Sequence, residues 1–426
     1  MNAALALFLI GFFALSVPVA VSIGLASVFS IKLFSVLPLM VVPQKMFTGL
    51  DSFPLMAVPF FILAGMIMTH GGISSRLVDF VKALIGNLQG GLASSTVLTC
   101  MVFASISGSS VATTFAIGSI LIPAMVKHGY PTPMAAAIQA SSAELGVIIP
   151  PSVPLILYAV STETSITKLF IAGLVPGVMI VIGLVIMVQI WCRLTGVGKN
   201  DGENRKSVLT AGREAFGALL MPAIILGGIY GGIFTPTEAA AVSVIYALVL
   251  SIFIYKEITF AQLPSIFRRA AMSSGAVMFI IAAASLFSFL ISLSGLPTAV
   301  GHWATQTFSS TTTFLLGINA LLFVVGMFIE TSAAILVLAP ILTPVALQYG
   351  IDPVHFGIVI VVNLALGMFT PPLGVNLFAA AQVAQIPVQK MFSSLLWPIL
   401  VVVCTLLIIT YVPAATIGIS GGGLSH

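Results

Sequence analysis

The sequence predicts an all-α polytopic membrane protein with an inverted repeat, and three observations support this fold class. Only 6% of the 426 residues are charged and 59% are hydrophobic, and the mean hydropathy is +1.21. Apolar runs of membrane-spanning length recur throughout the chain, which is typical of a helical bundle in lipid. In addition, one long pattern occurs twice, with the second copy 221 positions after the first.

The repeated pattern is a pair of short apolar stretches followed by a helix that a double proline interrupts. Gly129 corresponds to Gly350, and Pro150-Pro151 corresponds to Pro371-Pro372, with no gap between these positions. Each copy is therefore predicted to form a re-entrant helical hairpin and a broken helix. Prolines could also produce simple kinks, but kinks alone do not explain why the whole pattern recurs.

The elements of the first half follow from apolar length and polar breaks. Arg76, Asp79 and Lys82 lie on an otherwise apolar helix, which favours a position at the membrane surface. The two stretches of the hairpin are each short for a crossing. In order, we predict a span (3–31), a surface arm (33–50), a span (52–70), the surface helix (71–91), the hairpin (92–127), the broken span (133–165), a span (168–192) and a polar loop (193–213).

The second half repeats this plan. Its first two spans are joined by the short loop FTPTE, and its arm ends in Arg268-Arg269. The Gly-rich tail is expected to be disordered. In order, we predict spans (214–232 and 237–255), an arm (256–269), a span (270–295), a hairpin (312–348), a broken span (353–385) and a last span (392–416).

The loop charges give the orientation of these elements. The central loop is predicted to be cytoplasmic because basic residues concentrate there. Counting spans from it places the base of the first hairpin inside. The base of the second hairpin, which has no Lys or Arg in 296–311 and 348–353, then lies outside. The hairpins enter from opposite faces, as in an inverted repeat, although Lys32 and Lys45 also fall outside. The basic residues of the central loop are Arg193, Lys199, Arg205, Lys206 and Arg213.

Helix breaks within a membrane leave peptide groups that must bind something. Breaks at equivalent places in two inverted halves indicate the substrate and ion site of a secondary transporter. Unwound carbonyls and hydroxyls are oxygen ligands for a cation such as sodium, and half-helix N-termini suit a carboxylate. The alternative is that the hydroxyls bond back to their own helices. The predicted ion ligands are Ser105, Ser107, Gly146, Ile149 and Pro150 in the first half, and Glu330, Thr331, Gly367, Met368 and Thr370 in the second.

Three carboxylates, Glu144, Glu238 and Glu330, fall within apolar segments, where charge favours a functional role. The alternatives are a paired or protonated structural Glu, or helix capping for Glu238, which follows Thr235-Pro236-Thr237. No Lys or Arg lies deep in a predicted span, so an anionic substrate would need amides, hydroxyls and co-bound cations. This favours sodium coupling, with proton coupling through a Glu as the alternative. The predicted substrate-binding residues are Ser109, Ser110, Asn363, Asn376 and Glu238; the asparagines could instead join helices.

Several function classes are disfavoured. A net charge of +4 is what membrane orientation requires and does not indicate nucleic-acid binding. Cys100, Cys192 and Cys404 lack disulfide or metal spacing, and no Walker-type glycine loop for ATP hydrolysis is present. No Ser/His/Asp or metal-ligand constellation suggests an enzyme, and no cofactor is expected apart from sodium as the coupling ion.

Four segments match the pattern of a known family, namely GGIFTPTEAAAVSVIYAL (231–248), ISGSSVATTFAIGSILIPAM (106–125), GVIIPPSVPLILY (146–158) and GMFTPPLGVNLF (367–378). They resemble the large membrane subunit (the M subunit, DctM-like) of tripartite ATP-independent periplasmic (TRAP) transporters, and the resemblance covers essentially the whole chain. It implies an elevator-type carrier in the bacterial inner membrane, similar to the ion transporter superfamily and driven by a sodium gradient.

The resemblance also implies partners and residue roles. A small four-helix membrane subunit and a periplasmic substrate-binding protein are expected, with C4-dicarboxylate or sialic acid as substrate, the latter favoured by overall similarity. The family's sodium sites match Ser107, Gly146 and Ile149, and Glu330, Thr331 and Gly367, while its motif Glu matches Glu238. The alternatives are a stand-alone sodium/dicarboxylate symporter, a channel and an intramembrane enzyme.

The predicted carrier has two domains that alternate along the chain. The hairpins and broken helices form the moving transport domain, and the other spans form the scaffold. The divisions are 1–91 (scaffold), 92–165 (transport), 166–311 (scaffold, with the cytoplasmic loop 193–213), 312–385 (transport) and 386–426 (final span and tail).

Overall fold

The computed structural model describes residues 2–86, 88–199 and 206–418, and these residues contain helices but no strands. The predicted Gly-rich tail and Arg205 lie outside the described residues. Nine helices of the described part are long and apolar enough to cross a membrane. In order, the helices are α1 (Asn2–Ala14), α2 (Val19–Phe34), α3 (Val41–Leu50), α4 (Ala57–His70), α5 (Ile73–Ile85), α6 (Gly91–Ser107), α7 (Ser110–Lys127), α8 (Thr132–Ala143), α9 (Leu145–Ile148), α10 (Val153–Thr162), α11 (Ile166–Thr195), α12 (Val208–Tyr230), α13 (Pro236–Val249), α14 (Leu263–Leu293), α15 (Leu296–Thr307), α16 (Thr311–Phe328), α17 (Thr331–Gln348), α18 (Pro353–Met368), α19 (Val375–Ala384), α20 (Phe392–Tyr411) and α21 (Ala414–Ile417).

Both predicted hairpins are confirmed. Helices α6 and α7 meet at Gly108-Ser109, and α16 and α17 meet at Ile329-Glu330. The bounds of α7 and α17 differ by the same 221 positions that relate the two sequence copies. The repeat therefore extends from the sequence to the ends of individual helices.

Both predicted helix breaks are confirmed as well. The first interrupts the chain between α9 and α10, where the two halves of the span are bent by 40°. Ser152 begins α10 by accepting a hydrogen bond from the Leu155 amide. The second lies between α18 and α19, and both double prolines contain a cis peptide bond. Proline lacks an amide donor, so each break leaves nearby carbonyls without their usual helical partner.

The two repeats interlock through equivalent contacts. Helix α7 packs against α19, and α17 packs against α10, so each hairpin contacts the broken helix of the other repeat. Helices α11 and α20 pack against each other and against these broken helices. Helices α4, α13, α2 and α14 pack against one another at the side of this unit. The predicted domain boundaries remain a prediction.

The predicted first span over 3–31 is wrong, because this segment forms the two helices α1 and α2. Ser16 adopts a positive φ of 57°, and Pro18, which lacks an amide donor, directly precedes α2. The chain reverses there, and the Phe8 and Phe29 rings lie 5.8 Å apart. The first residues of α1 and the last residues of α2 therefore lie on the same side of the molecule.

The predicted boundary between the second arm and the following span is also wrong. Helix α14 continues through it from Leu263 to Leu293. In the first half, the corresponding stretch is divided into α3, a 3-10 turn that contains Pro54, and α4. Between Pro264 and Pro297 the second half has no proline, so nothing in its sequence interrupts the helix.

The predicted surface helix is α5, and ion pairs connect it to neighbouring segments. Arg76 pairs with Glu257 at 3.1 Å, and Lys206 lies 3.1 Å from Asp79 and 2.5 Å from Glu214. Glu214 and then Asp79 raise the pKa of Lys206 above its usual value, which keeps this lysine positively charged. The charged side of α5 thus faces the cytoplasmic loop region that the basic residues predict.

Candidate substrate and ion site

A cavity of about 340 Å³ lies where the two hairpin tips meet helices α4 and α14. Both tips and both breaks contribute to its lining, so the segments that the repeat singles out converge in space. The tips contribute Ser107, Ser109, Ser110, Glu330 and Ser332; the breaks contribute Val147, Val153 and Met368; and α4 and α14 contribute Ile62, Gly65, Met66, Thr69, Ser273 and Val277.

The first tip is a tight turn held against the first break. Gly108 has a positive φ of 62°, a conformation that glycine adopts without steric cost. Its carbonyl accepts a hydrogen bond from the Val153 amide at 3.4 Å. Ser109 caps α7 by accepting from the Ala112 amide at 3.4 Å, and the Ser107 and Thr113 hydroxyls are 3.0 Å apart.

The second tip has the same design with an acidic cap. Glu330, the equivalent of Ser109, caps α17 by accepting from the Ala333 amide at 3.1 Å. Ser332 donates to the other carboxylate oxygen at 2.8 Å. The Thr331 hydroxyl lies 2.8 Å from the sulfur of Met368. The tip of the second hairpin is thereby joined to the second break.

The electrostatics of the cavity come from helix ends and one carboxylate. The N-termini of α7 and α17 both reach the cavity, and the partial positive charge of a helix N-terminus favours anions. Glu330 is the one charged residue among the described residues that line it. An anion in this cavity would therefore experience favourable helix dipoles and an unfavourable carboxylate.

Gly146, one of the predicted ion ligands of the first half, lies directly beside the first tip. A Cβ on Gly146 would lie only 2.8 Å from the Ser109 carbonyl oxygen, so glycine permits this close approach. Ile149 directly follows α9 as its C-cap residue, and Pro150 comes next in the break. The Ser105 hydroxyl donates to the Val102 carbonyl of its own helix at 2.6 Å, as the alternative to ion binding predicts. The Ser105 oxygen retains a lone pair and can still act as an acceptor.

The predicted ion ligands of the second half lie at the second tip and at the second break. A Cβ on Gly367 would lie 2.8 Å from the Gly326 carbonyl oxygen, so α16 and α18 cross at two glycines. Met368 lines the cavity, and Thr370 donates back to the Leu366 carbonyl at 2.6 Å. Main-chain and hydroxyl oxygens, together with the Glu330 carboxylate, are the donor types that a sodium ion prefers.

Asn376, a predicted substrate residue, lies outside the cavity lining and joins the two repeats. Its amide nitrogen donates to Glu144 Oε1 at 2.8 Å and to the Ala140 carbonyl at 3.1 Å. The Thr114 hydroxyl donates to its amide oxygen. Glu144 is 3% exposed, and its Oε2 has no hydrogen-bond partner. The structure therefore places Asn376 as a cross-repeat connector, which is the helix-joining alternative.

Asn363 is likewise buried away from the cavity. It donates to Asn319 Oδ1 at 2.8 Å, and Asn319 donates to the Thr410 hydroxyl at 3.2 Å. These contacts connect α18, α16 and α20. Of the five predicted substrate residues, only Ser109 and Ser110 line the cavity.

Glu238 lies apart from the cavity and caps α13. Its carboxylate accepts from the Thr235 amide at 2.8 Å, and the Thr235 hydroxyl accepts from the Glu238 amide at 3.3 Å. This reciprocal pair is a capping box. These contacts agree with the alternative interpretation of Glu238 as a helix cap.

For the C4-dicarboxylate carrier that the sequence resemblance implies, we expect Glu238→Gln to leave the KM for uptake of succinate, a C4-dicarboxylate, within about twofold of the unsubstituted value, because Gln also serves in a capping box. Thr235→Ala should lower the thermal unfolding midpoint, since losing an N-cap costs about 0.5–2 kcal/mol. Uptake by reconstituted protein measures the first effect, and unfolding in detergent measures the second. A large rise in KM for Glu238→Gln alone would indicate that Glu238 contacts substrate.

Sequence reasoning missed the wall that α4 and α14 supply. Ile62, Gly65, Met66 and Thr69 follow the i, i+3, i+4, i+7 spacing of one helix face. That spacing was available in the sequence, but a mostly apolar face also describes contact with lipid or with another helix. Only the position of the hairpin tips distinguishes these cases.

No group of three or more His, Cys, Asp and Glu side chains suited to a metal occurs in residues 2–86, 88–199 and 206–418. Cys100 and Cys192 are buried, and Cys404 is exposed.

Comparison with known proteins agrees with this geometry. The family model described as "Tripartite ATP-independent periplasmic transporter, DctM component" matches residues 6–415. The C4-dicarboxylate TRAP transporter large permease protein DctM of Rhodobacter capsulatus is 40% identical over 417 residues, which cover 94% of each chain. The isethionate TRAP transporter permease protein DctMQ of Oleidesulfovibrio alaskensis is 43% identical, over 97% of this chain and 66% of that protein.

A solved structure shows the same fold. The Alcanivorax borkumensis YdaH transporter, whose crystal structure is described as having an unusual topology, aligns with a TM-score of 0.64 at 15% identity. The alignment covers 96% of this chain and 98% of that one. From the family match and these relatives, the chain belongs to the DctM family, the large permease components of TRAP transporters, and is a multi-pass protein of the bacterial inner membrane.

Proposed function

We propose that this permease subunit takes up a small organic acid, such as a C4-dicarboxylate, by sodium symport and an elevator movement, and that it is not an enzyme. The observation that carries this proposal is the cavity between the two hairpin tips, which receives two helix N-termini and a single carboxylate. The helix N-termini would bind the acid. The relatives reported above are named for C4-dicarboxylates and isethionate, and sialic acid gains no support from them.

The charge of the cavity supports the proposed sodium coupling. No Lys or Arg is among the described residues that line it, so no side chain of the lining offsets the charge of an acid. Glu330 adds a further negative charge. Cations bound beside Gly146 and Gly367, where hairpin and broken-helix backbones approach closely, would supply the missing positive charge and make acid binding depend on ion binding.

The elevator movement is supported by where the cavity lies. One wall belongs to the hairpins and broken helices, and the other belongs to α4 and α14. A cavity shared between two packed units opens or closes when one unit slides along the other. The cavity also lies near the ends of α4 and α14 that adjoin the cytoplasmic segments predicted from charge. In the proposed cycle, this arrangement would be the inward-facing state.

Two partners belong to this proposal, a small membrane subunit and a periplasmic binding protein. The relative named DctMQ is longer than this chain, which matches 66% of it. The remaining third leaves room for a small subunit in the same polypeptide.

The decisive experiment is succinate uptake by proteoliposomes that contain the chain, its small subunit and its binding protein. We expect uptake under an inward sodium gradient and little uptake without sodium. Uptake that ignores sodium and follows a proton gradient would reject the coupling. Strong uptake by this chain alone would favour a stand-alone symporter, and conduction without saturation would favour a channel.

The substitution Glu330→Gln should raise the sodium concentration for half-maximal uptake about tenfold, which corresponds to about 1.4 kcal/mol of cation binding. The amide oxygen can still cap α17, but it lacks the negative charge that attracts the ion. The matched control is Glu163→Gln, since Glu163 is an exposed carboxylate that does not line the cavity. An unchanged sodium dependence in Glu330→Gln would remove Glu330 from the ion site.

A further inference from the structure

Glu144 is the only Asp or Glu side chain that is buried in the described part of the chain. It lies where α8 meets α9, two residues before Gly146 of the first break. Asn376 holds one carboxyl oxygen, Oε1, whereas Oε2 has no hydrogen-bond partner among the described residues. Buried polar atoms without a partner are rare, so Oε2 requires an explanation.

The missing partner of Oε2 is not a group of the described chain. An ionised Oε2 would accept from a donor or contact a cation, and a protonated Oε2 would donate to an acceptor. Neither kind of neighbour lies within hydrogen-bond distance of this atom in the described residues. Oε2 is therefore available to a small ligand from outside the chain.

The local charge favours a cation as that ligand. The ion pairs of the described residues involve α5, and none includes Glu144. Glu330 at the second tip is close enough for its carboxylate to repel that of Glu144. Burying two carboxylates that repel each other is unfavourable unless a positive charge offsets them. A water molecule would donate to Oε2, but it would not supply that charge.

The internal repeat shows that the two carboxylates have complementary positions. Glu330 corresponds to Ser109 of the first tip, and Glu144 corresponds to Ala365 beside the second break, each pair 221 positions apart. Each half therefore has one carboxylate where the other half has a neutral residue. In the second half it lies at the tip, and in the first half it lies at the break. The predicted ion ligands of the first half are all neutral residues, so Glu144 is the charge that this set lacks.

The neighbours of Glu144 connect it to the cavity at the hairpin tips. The Ser110 hydroxyl interacts with the Glu144 carboxyl, and Ser110 lines that cavity. Gly146, two residues after Glu144, lies against the Ser109 carbonyl of the first tip. A carboxylate oxygen beside a hydroxyl oxygen is a donor set that suits a hard cation such as sodium.

We infer that Glu144 ligates a monovalent cation in the first half, with Oε2 and the neighbouring Ser110 hydroxyl as oxygen donors. The inference rests on the proposed sodium symport and names the side chain that carries the charge of its first ion site. Asn376 is then a positioning residue, because its bond to Oε1 leaves Oε2 for the cation. A residue of the second repeat thus orients an ion ligand of the first.

Two substitutions at Glu144 separate its charge from its structural contact. Glu144→Gln keeps an oxygen that accepts from Asn376 but removes the negative charge. Glu144→Asp keeps the charge but is one methylene shorter, so its bond to Asn376 should weaken. Each variant is purified as the full chain with its small subunit, and its thermal unfolding midpoint is followed as NaCl replaces choline chloride at constant ionic strength. Glu163→Gln is the matched control, because Glu163 is an exposed carboxylate.

Sodium that binds the folded state raises the unfolding midpoint. We expect Glu144→Gln to raise the sodium concentration for half-maximal stabilisation about tenfold, and Glu144→Asp to raise it by less than about threefold although it unfolds at a lower temperature. Ser110→Ala should also weaken the sodium response, which keeps the inference testable should Glu144→Gln fail to fold. Glu163→Gln should respond as the unsubstituted complex does.

An unchanged sodium response in Glu144→Gln or, if that variant does not fold, in Ser110→Ala would overturn the inference. With sodium-driven succinate uptake intact, such a result would leave the proposed function standing. Equal losses in Glu144→Gln and Glu144→Asp would also overturn it, since they would indicate a purely structural role. If the unsubstituted complex shows neither a sodium response nor sodium-driven uptake, the proposed symport and the inference are both contradicted.

Discussion

Gly367→Ala should abolish most uptake and lower the thermal unfolding midpoint, although it adds only one methyl group. The new Cβ would lie 2.5 Å from the Cα and 2.8 Å from the carbonyl oxygen of Gly326. Both partners are backbone atoms of packed helices, so neither can rotate away. Extra methylenes in a packed core cost about 1–3 kcal/mol, and we expect a value at the upper end of that range.

The expected loss of uptake has a separate cause. Restoring space between α16 and α18 would move the second tip relative to the second break, where the proposed ion ligands of the second half lie. Uptake of succinate and unfolding in detergent report the two effects independently. Gly146→Ala is the equivalent change in the first repeat, where the Cβ would lie 2.8 Å from the Ser109 carbonyl oxygen.

Gly227→Ala is the matched control for this prediction. Gly227 lies within α12, and no atom lies within 4 Å of a Cβ built there. Because alanine favours a helix interior over glycine by about 1 kcal/mol, this variant should be as stable as the unsubstituted protein or more so. If Gly367→Ala transports and unfolds as Gly227→Ala does, the close crossing of α16 and α18 is not required.

Asn376→Leu should strongly destabilise the contact between the two repeats. The substitution removes two donated hydrogen bonds, to Glu144 and to the Ala140 carbonyl, and the one accepted from Thr114. Each buried polar group left without a partner costs about 1–3 kcal/mol. Since Glu144 Oε2 already lacks a hydrogen-bond partner, the carboxyl group would lose its principal donor. We expect a clearly lower unfolding midpoint and reduced uptake.

A double substitution distinguishes a lost interaction from a misfit leucine. Glu144→Met together with Asn376→Leu removes the carboxyl group as well as its donor, and such paired apolar replacements are often close to neutral. The double variant should therefore lose less stability than the sum of the single variants. Gln382→Leu is the control, because Gln382 is exposed on the same helix. Strict additivity in the double variant would contradict the proposed coupling of Glu144 with Asn376.

The repeat could be predicted from the sequence because it depends on local chemistry. Proline cannot donate an amide hydrogen bond wherever it occurs, so Pro150-Pro151 and Pro371-Pro372 interrupt helices regardless of their neighbours. Apolar length likewise predicts spans from the chain alone. The hairpins, the breaks and the family membership followed from such signals, whereas the pairing of α1 with α2 did not, because a short apolar helix does not reveal what it packs against.

The predicted site residues also divide into those whose position depends on local sequence and those whose position depends on distant contacts. The position of Ser109 and Glu330 at the cavity was predictable because both residues cap helices at the hairpin tips, and a capping position is a local property. Asn363 and Asn376 were assigned to substrate on residue type, yet their partners, Asn319 and Glu144, lie elsewhere in the chain. A polar side chain in a span must find some partner, and the sequence does not state which one.

By itself, the sequence determined that this chain crosses the membrane many times, repeats an interrupted helix in inverted order and resembles a TRAP permease. Those properties depend on hydropathy, proline chemistry and motif order, each of which is set within a short stretch of chain. Only the tertiary structure decided that both tips share one cavity and that α4 and α14 supply its far wall. Cavities arise from contacts between distant segments, and their shape depends on how closely backbones such as those at Gly326 and Gly367 can approach.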